Sequence, residues 1–334
     1  MISVEKWYIV NCLRPQSCTG PAPLEDYLGL YVLRRKSFLS AIFSLLILSH
    51  GAIAADVAIT MDDFRFVDSP IMTGKEQDER ILNTLKKNRI EIALFVIGSV
   101  LEQPLAREKL AAWDRDQHLI GNHTYTHPLY DSVSFVQFSQ EIVKTQEALA
   151  PYRNSQKLFR FPMLAEGESR EKRDRMRAFL KAQGYRNGYV TIDTSDWYVD
   201  SRLVERLKRD PKADLSGFRD FYLQHVWDRA QFYDGLSQKV LGRSVKHTLL
   251  IHHTQLNALF LNDLILMFRS KGWRIISARE AFQDPVFQLE PDIVPAGESI
   301  VWSLAKATGR FDSLLRYPGE DDVYEKPKMD KLGL

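Results

Sequence analysis

Cysteine is nearly absent: the 334-residue chain has two, Cys12 and Cys18, and none beyond. Disulfide staples are therefore excluded downstream, and a metal site there has to be built from His, Asp and Glu. Charge of one sign is lacking too. The 45 basic side chains face 43 acidic ones, so composition offers no case for a nucleic-acid partner. No apolar run reaches the roughly 20 residues of a membrane-spanning helix. Nor do Gly and Ser gather into a linker-like tract. Apolar residues at 45 % and charged residues at 26 % are near globular averages, which suits one large α/β domain or two smaller ones.

What is present begins with Arg34-Arg35-Lys36, the eleven-residue apolar run from Phe38 to Leu48, and Ala52-Ile53-Ala54. That order describes a secretory signal peptide cleaved near Ala54, so a periplasmic or secreted protein without a stable membrane anchor is expected. Residues 1–32 do not belong to such a signal, and the expected start lies near Val32 or Leu33. Residues 1–54 are thus set aside as an upstream extension plus signal. From Ala55 onward the charges balance at 40 of each sign.

Beyond Ala55, short apolar runs alternate with helical patterns. Strands are expected at 56–61, 92–97, 118–121, 157–161, 188–192, 248–251 and 273–276. Between them lie helical stripes such as Phe135, Phe138, Ile142 and Leu149. About seven such units argue a parallel sheet closed, or nearly closed, into a distorted (β/α) barrel, as a single domain over 55–285. Residues 286–334 lack strong periodicity but carry Val301, Trp302 and Leu304. They are expected to wrap the barrel as a C-terminal extension.

Every unusual polar cluster follows a predicted strand: Asp62-Asp63, His123 and His127, Arg160, Asp193 and Asp196, and His252. In a parallel barrel these strand ends share the face where active sites are built. His123 and His127, four apart, can chelate one ion if the turn between them is helical; a surface pair or a helix cap is the plainer alternative. Asp63 would complete a His₂Asp set with an open position, the geometry of a catalytic zinc site. Asp62 would then be the general base, although a helix N-cap pair also explains two adjacent aspartates. Arg160 is placed to pair with Asp62, and His252 to protonate a leaving group.

These residues resemble the polysaccharide deacetylase superfamily, carbohydrate esterase family 4, with its nodulation-type chitooligosaccharide deacetylase homology domain. The family's TFDDG corresponds to Thr60-Met-Asp-Asp-Phe64, and its H-[ST]-x-x-H to His123-Thr-Tyr-Thr-His127. R-x-P-[YF] is matched by Arg160-Phe-Pro-Met163, D-x-x-D-W by Asp193-Thr-Ser-Asp196-Trp197, and the strand ending in L-x-H by Leu249-Leu-Ile-His252. The resemblance implies a divalent metal, zinc foremost, on Asp63, His123 and His127. It implies Asp62 as base, Arg160 orienting it, His252 as acid and Asp196 tuning that acid. Trp197 would wall the acetyl pocket, and a backbone N–H near Met163 would help bind the oxyanion.

Three positions depart from the family pattern. Phe64 replaces glycine and is expected to narrow the cleft, Met163 replaces an aromatic, and His253 stands where an acid is frequent. His253 is expected either to hydrogen-bond behind the site or to be exposed. Structural or surface roles are expected of His50, His118, His225 and His247, while Trp227, Phe232 and Tyr233 are possible glycan platforms. The expected activity is an exported metal-dependent hydrolase releasing acetyl groups from an acetylated glycan. The rivals are an amidohydrolase of a small cyclic amide or imide, which a narrow pocket would favour, and an inactive glycan-binding module.

Overall fold

Strand β1, Asp56–Asp62, is a run of apolar and β-branched residues that only a sheet covered on both faces can bury. The computed structural model describes residues 55–316 and 321–334; the expected signal segment and the extension before it lie outside the described residues. Helix α1, Gly74–Asn88, follows a capping box in which Thr73 and Glu76 satisfy each other's backbone N–H groups. Next come β2 (Ala93–Val96), α2 (Pro104–Arg115, with proline in its first turn) and β3 (Leu119–Asn122). Helix α3 (Phe135–Leu149) starts from a second capping box, Ser134 with Gln137. Strands β4 (Ser155–Phe159) and β5 (Ala165–Gly167) precede α4 (Arg170–Ala182) and β6 (Arg186–Asn187). Helices α5 (Asp196–Arg209) and α6 (Ser216–Leu241) are separated at Asp210-Pro211, where proline cannot continue a helix.

The chain continues through β7 (Lys246–His252), α7 (Gln255–Ser270), β8 (Arg274–Ile275) and the short α8 (Ala278–Ala281). It ends with β9 (Ala296–Gly297), α9 (Ile300–Ala307), α10 (Asp321–Tyr324) and α11 (Lys326–Lys331). Among the described residues, no helix is long and apolar enough to cross a membrane.

Seven strands form one parallel sheet in the order β6-β4-β3-β2-β1-β7, with β8 pairing β1 at Asp56 and Val57. Strands β1 and β7 run in register from Asp56 beside Lys246 to Asp62 beside His252. The sheet curls into the expected distorted (β/α) barrel. Closure differs from expectation at 188–192, where a full strand was predicted. Only Arg186–Asn187 ladders onto β4, and a single bridge from Ile192 to Leu249 joins the other edge. The reason is local: Arg160 Nε takes the Gly188 carbonyl at 2.8 Å, and the Thr191 N–H donates to the Thr248 hydroxyl at 3.1 Å. Side chains there share the backbone groups with irregular backbone bonds, from the Gly188 N–H to Phe159 and from the Thr191 and Ile192 N–H groups to Thr248.

Beyond the barrel, β9 pairs antiparallel with β5. Ile300, Val301 and Trp302 of α9 are buried in the main core, and α9 packs on α6. The C-terminal segment therefore lies against the barrel, near the rim where the polar strand ends emerge.

Candidate metal centre and active site

Asp62 closes β1, buried, its Oδ1 accepting from Arg160 Nη1 at 2.6 Å. Arg160 is itself fully buried, donating to the Thr60 hydroxyl at 3.0 Å and lying 3.9 Å over the Phe95 ring. A charge held by Asp62, Thr60, Phe95 and the Gly188 carbonyl cannot swing, so it fixes one carboxylate oxygen of Asp62 and leaves the other toward the cavity.

Asp63 adopts a left-handed backbone (φ 59°). That reversal sends its carboxylate the other way from the β1 pleat. Asp63 Oδ1 comes within 3.3 Å of His127 Nε2 and 3.6 Å of His123 Nε2. The turn between the two histidines is not helical, contrary to the condition set for chelation. It is an irregular loop with Thr124 and His127 both left-handed (φ 63° and 61°), which folds the second imidazole back onto the first. Asn122 Oδ1 accepts from the Thr124 N–H, and the Thr124 hydroxyl from the His127 N–H, holding the loop in that shape. His123 Nδ1–H donates to the Arg160 carbonyl at 2.9 Å, which leaves Nε2 with its lone pair facing Asp63.

The three ligand atoms lie within 4.8 Å of one another. Asp63 Oδ1 is buried with no hydrogen-bond partner among the described residues. An orphaned carboxylate oxygen facing two imidazoles fits a divalent cation. Ligand atoms about 2.0–2.1 Å from a tetrahedral ion stand roughly 3.3–3.4 Å apart, close to the spacings seen. Burial, then the neighbouring His123, pushes His127 down to about 4, so it is a neutral ligand at physiological pH. Burial acts against the Asp63 charge, but His252, His123 and His127 outweigh it and hold the carboxyl below its ordinary value.

His252 ends β7 directly beside Asp62. Its Nδ1–H donates to Asp196 Oδ1 at 2.7 Å, while its backbone N–H and Asn257 Nδ2 donate to Oδ2 at 2.8 and 2.9 Å. Burial alone would lower the ring; the Asp196 charge and hydrogen bond override it, with Asp63 and Asp62 adding, and raise it to about 9. Asp196→Asn should therefore bring the His252 ring down toward or below the ordinary value of about 6.5, because burial is then unopposed by that charge. An NMR titration of the ring checks this, and an unmoved midpoint would remove Asp196 as its partner.

A cavity of about 440 Å³ opens over these groups, walled by Trp197, Met163, Leu164 and Leu250. Trp197 and Met163 are both well exposed at its mouth. Phe64 does not line it. The left-handed Asp63 turns the next residue inward, so Phe64 is fully buried, edge-on to Phe66 and His253 at 5.1 and 5.3 Å. It fills the core rather than narrowing the cleft. Phe64→Ala should cost about 3–5 kcal/mol of stability, as a buried aromatic truncation does, measurable by denaturant unfolding.

His253 is buried with Nε2 3.2 Å from Asp78 Oδ1, so it is not exposed, and its backbone N–H donates to the Asp62 carbonyl at 2.9 Å. His118 and His247 are buried among structural partners. His225 accepts from the Ser195 N–H at 3.0 Å, bracing the loop that carries Asp196. Trp227 packs on Phe268 and Trp273, and Tyr233 is fully buried, so neither is a glycan platform. Phe232 is half-buried against the core beside Tyr233 and likewise does not line the cavity. Sequence reasoning missed three cavity residues, Arg229, Glu298 and Arg316, which follow no barrel strand and carry no local motif.

The family model described as polysaccharide deacetylase matches residues 52–188. A peptidoglycan-N-acetylglucosamine deacetylase of Bacillus cereus is 33% identical over 96 residues, 28% of this chain and 31% of that protein. The match thus spans about a third of that relative's length. Among solved structures, the peptidoglycan deacetylase PdaC of Bacillus subtilis is 20% identical, covering 69% of this chain and 91% of that one, with TM-score 0.45. The chitin deacetylase of Colletotrichum lindemuthianum is 22% identical, covering 68% and 87%, with TM-score 0.46. Residues 52–188 of this chain are thus similar to the polysaccharide deacetylase family, and the Asp63, His123 and His127 cluster lies within that matched stretch.

Proposed function

We propose that this protein is an exported, zinc-dependent hydrolase that removes acetyl groups from an acetylated glycan, N-acetylglucosamine-containing or O-acetylated. The observation that carries the reading is the pairing of Asp62 with His252 across β1 and β7. It puts a fixed carboxylate and a protonated imidazole on one cavity wall beside the Asp63, His123 and His127 cluster.

A divalent cation held by those three residues would polarise the acetyl carbonyl and make water acidic enough to lose a proton. Asp62 takes that proton at Oδ2, since Oδ1 is held by Arg160. Arg160 holds Asp62 stationary. His252, charged at neutral pH, donates from Nε2 to the departing amine or alkoxide, while Asp196 holds Nδ1 and steadies the ring. Trp197 and Leu250 flank the acetyl group and limit water. The small cyclic amide reading leaned on a cleft narrowed by Phe64, and the burial of Phe64 withdraws that support.

Acetate released by the purified protein from a panel of acetylated glycans, with chelator and with zinc restored, tests the reading. Zinc-dependent release supports it. Metal retained without acetate from any glycan overturns it in favour of a small amide substrate, and no metal at all favours a glycan-binding module. N-terminal sequencing of the exported protein should begin near Ala55.

A further inference from the structure

Arg229, on α6, lines the inner wall of the catalytic cavity and is only 9% exposed. Other buried or half-buried arginines have a carboxylate close by. Arg160 has Asp62 at 2.6 Å, Arg173 has Asp292 at 2.7 Å, Arg177 has Glu166 at 2.8 Å and Arg316 has Glu325 at 2.6 Å. Arg229 has no ion pair among the described residues. Its guanidinium instead lies over the rings of Phe232 and Tyr233, 4.6 and 4.9 Å from their centroids. Those rings orient the planar cation but do not neutralise it. A buried cation with no carboxylate in contact is costly, and its place on a cavity wall leaves room for a carboxylate from outside.

Among the described residues, none of the acids that share the cavity makes an ion pair with Arg229. Asp62 is taken by Arg160, and Asp63 faces the two histidines. Glu298 is pushed up to about 8 by burial and by Asp193, so it stands as a neutral donor at physiological pH. Asp193, which burial raises to about 6 against the lowering by Arg229, is anionic at physiological pH but makes no ion pair with Arg229. Arg316 is held bidentate by Glu325, its Nη1 and Nη2 at 2.7 and 2.6 Å. One unpaired, flat, stacked guanidinium in a cavity of about 440 Å³ matches a single planar monoanion, bound through two parallel N–H bonds.

We propose that Arg229 receives a carboxylate of the substrate, so that the acetylated sugar is an acidic one, carrying that carboxylate on the unit that bears the acetyl group or its neighbour. This rests on the deacetylase reading above. Two sources share the chemistry, a uronic acid and a carboxyl-bearing ether on the sugar ring.

The test compares acetate release, in the zinc-loaded protein, from acetylated saccharides of both acidic kinds and from the same saccharides with the carboxyl reduced to an alcohol. Wild type should favour at least one acidic form over its reduced partner by tenfold or more in kcat/KM, mainly through KM. Which acid is favoured identifies the source. Arg229→Met should erase that preference, and Arg229→Lys should restore part of it, which a misfolded variant would not. Equal handling of acidic and reduced forms by wild type, or a preference untouched by Arg229→Met, overturns the proposal and leaves the deacetylase reading intact. Should no saccharide release acetate, the deacetylase reading falls. Titration calorimetry then decides on Arg229 alone: carboxylate binding weakened tenfold in Arg229→Met supports the site, and unchanged binding overturns it.

Discussion

Asp62→Asn is expected to keep the metal and lose turnover by roughly 10²–10⁴-fold, the usual worth of a positioned general base. The substitution is isosteric, and the amide oxygen can still accept from Arg160 Nη1. Asp63, His123 and His127 are untouched, so metal content should stay at the wild-type level. What is lost is the anionic oxygen left free of Arg160 to take a proton. The Arg160 charge, fully buried, then lacks its counter-ion. Some loss of stability is therefore expected as well, and a melting curve separates it from loss of chemistry. Near-normal acetate release from a metal-loaded Asp62→Asn protein would rule out Asp62 as the base.

His127→Ala should weaken metal binding by more than the roughly 100-fold seen when only an outer partner of a metal ligand is removed. His127 is the better of the two histidines to change. It is partly exposed, whereas His123 is buried and also ties the Arg160 carbonyl. Its left-handed backbone is uncomfortable for alanine, so His127→Asn serves as the matched variant, asparagine being tolerant of that conformation. Both variants should lose zinc on dialysis and regain activity only at high metal concentration. Zinc retained at full stoichiometry in both would show that the ion is held elsewhere.

The strands were legible because buried parallel strands are continuous apolar runs, and the chemistry was legible because polar residues at the ends of such runs are conspicuous. The order Asp62, His123, Arg160, Asp196, His252 could be read directly from the chain. The fate of Phe64 could not. Which way a side chain points after a strand depends on one dihedral angle, and here Asp63 at φ 59° turns Phe64 into the core. The same limit applied to His127, whose approach to His123 comes from two left-handed residues rather than a helical turn.

Taken alone, the sequence determined the parallel α/β class, the residue types able to bind a metal in a chain without cysteine past residue 18, and the family motifs that residues 52–188 match. Each of these follows from local pattern or from spacing along the chain. Only the tertiary structure decided that Asp62 faces His252 in register, that Arg160 freezes Asp62, and that Arg229, Glu298 and Arg316 share the cavity. Those three come from a long helix and the C-terminal segment, far from the motifs in sequence. Their convergence depends on how α6 and the segment after β9 pack against the barrel, a long-range contact that no short window of residues encodes.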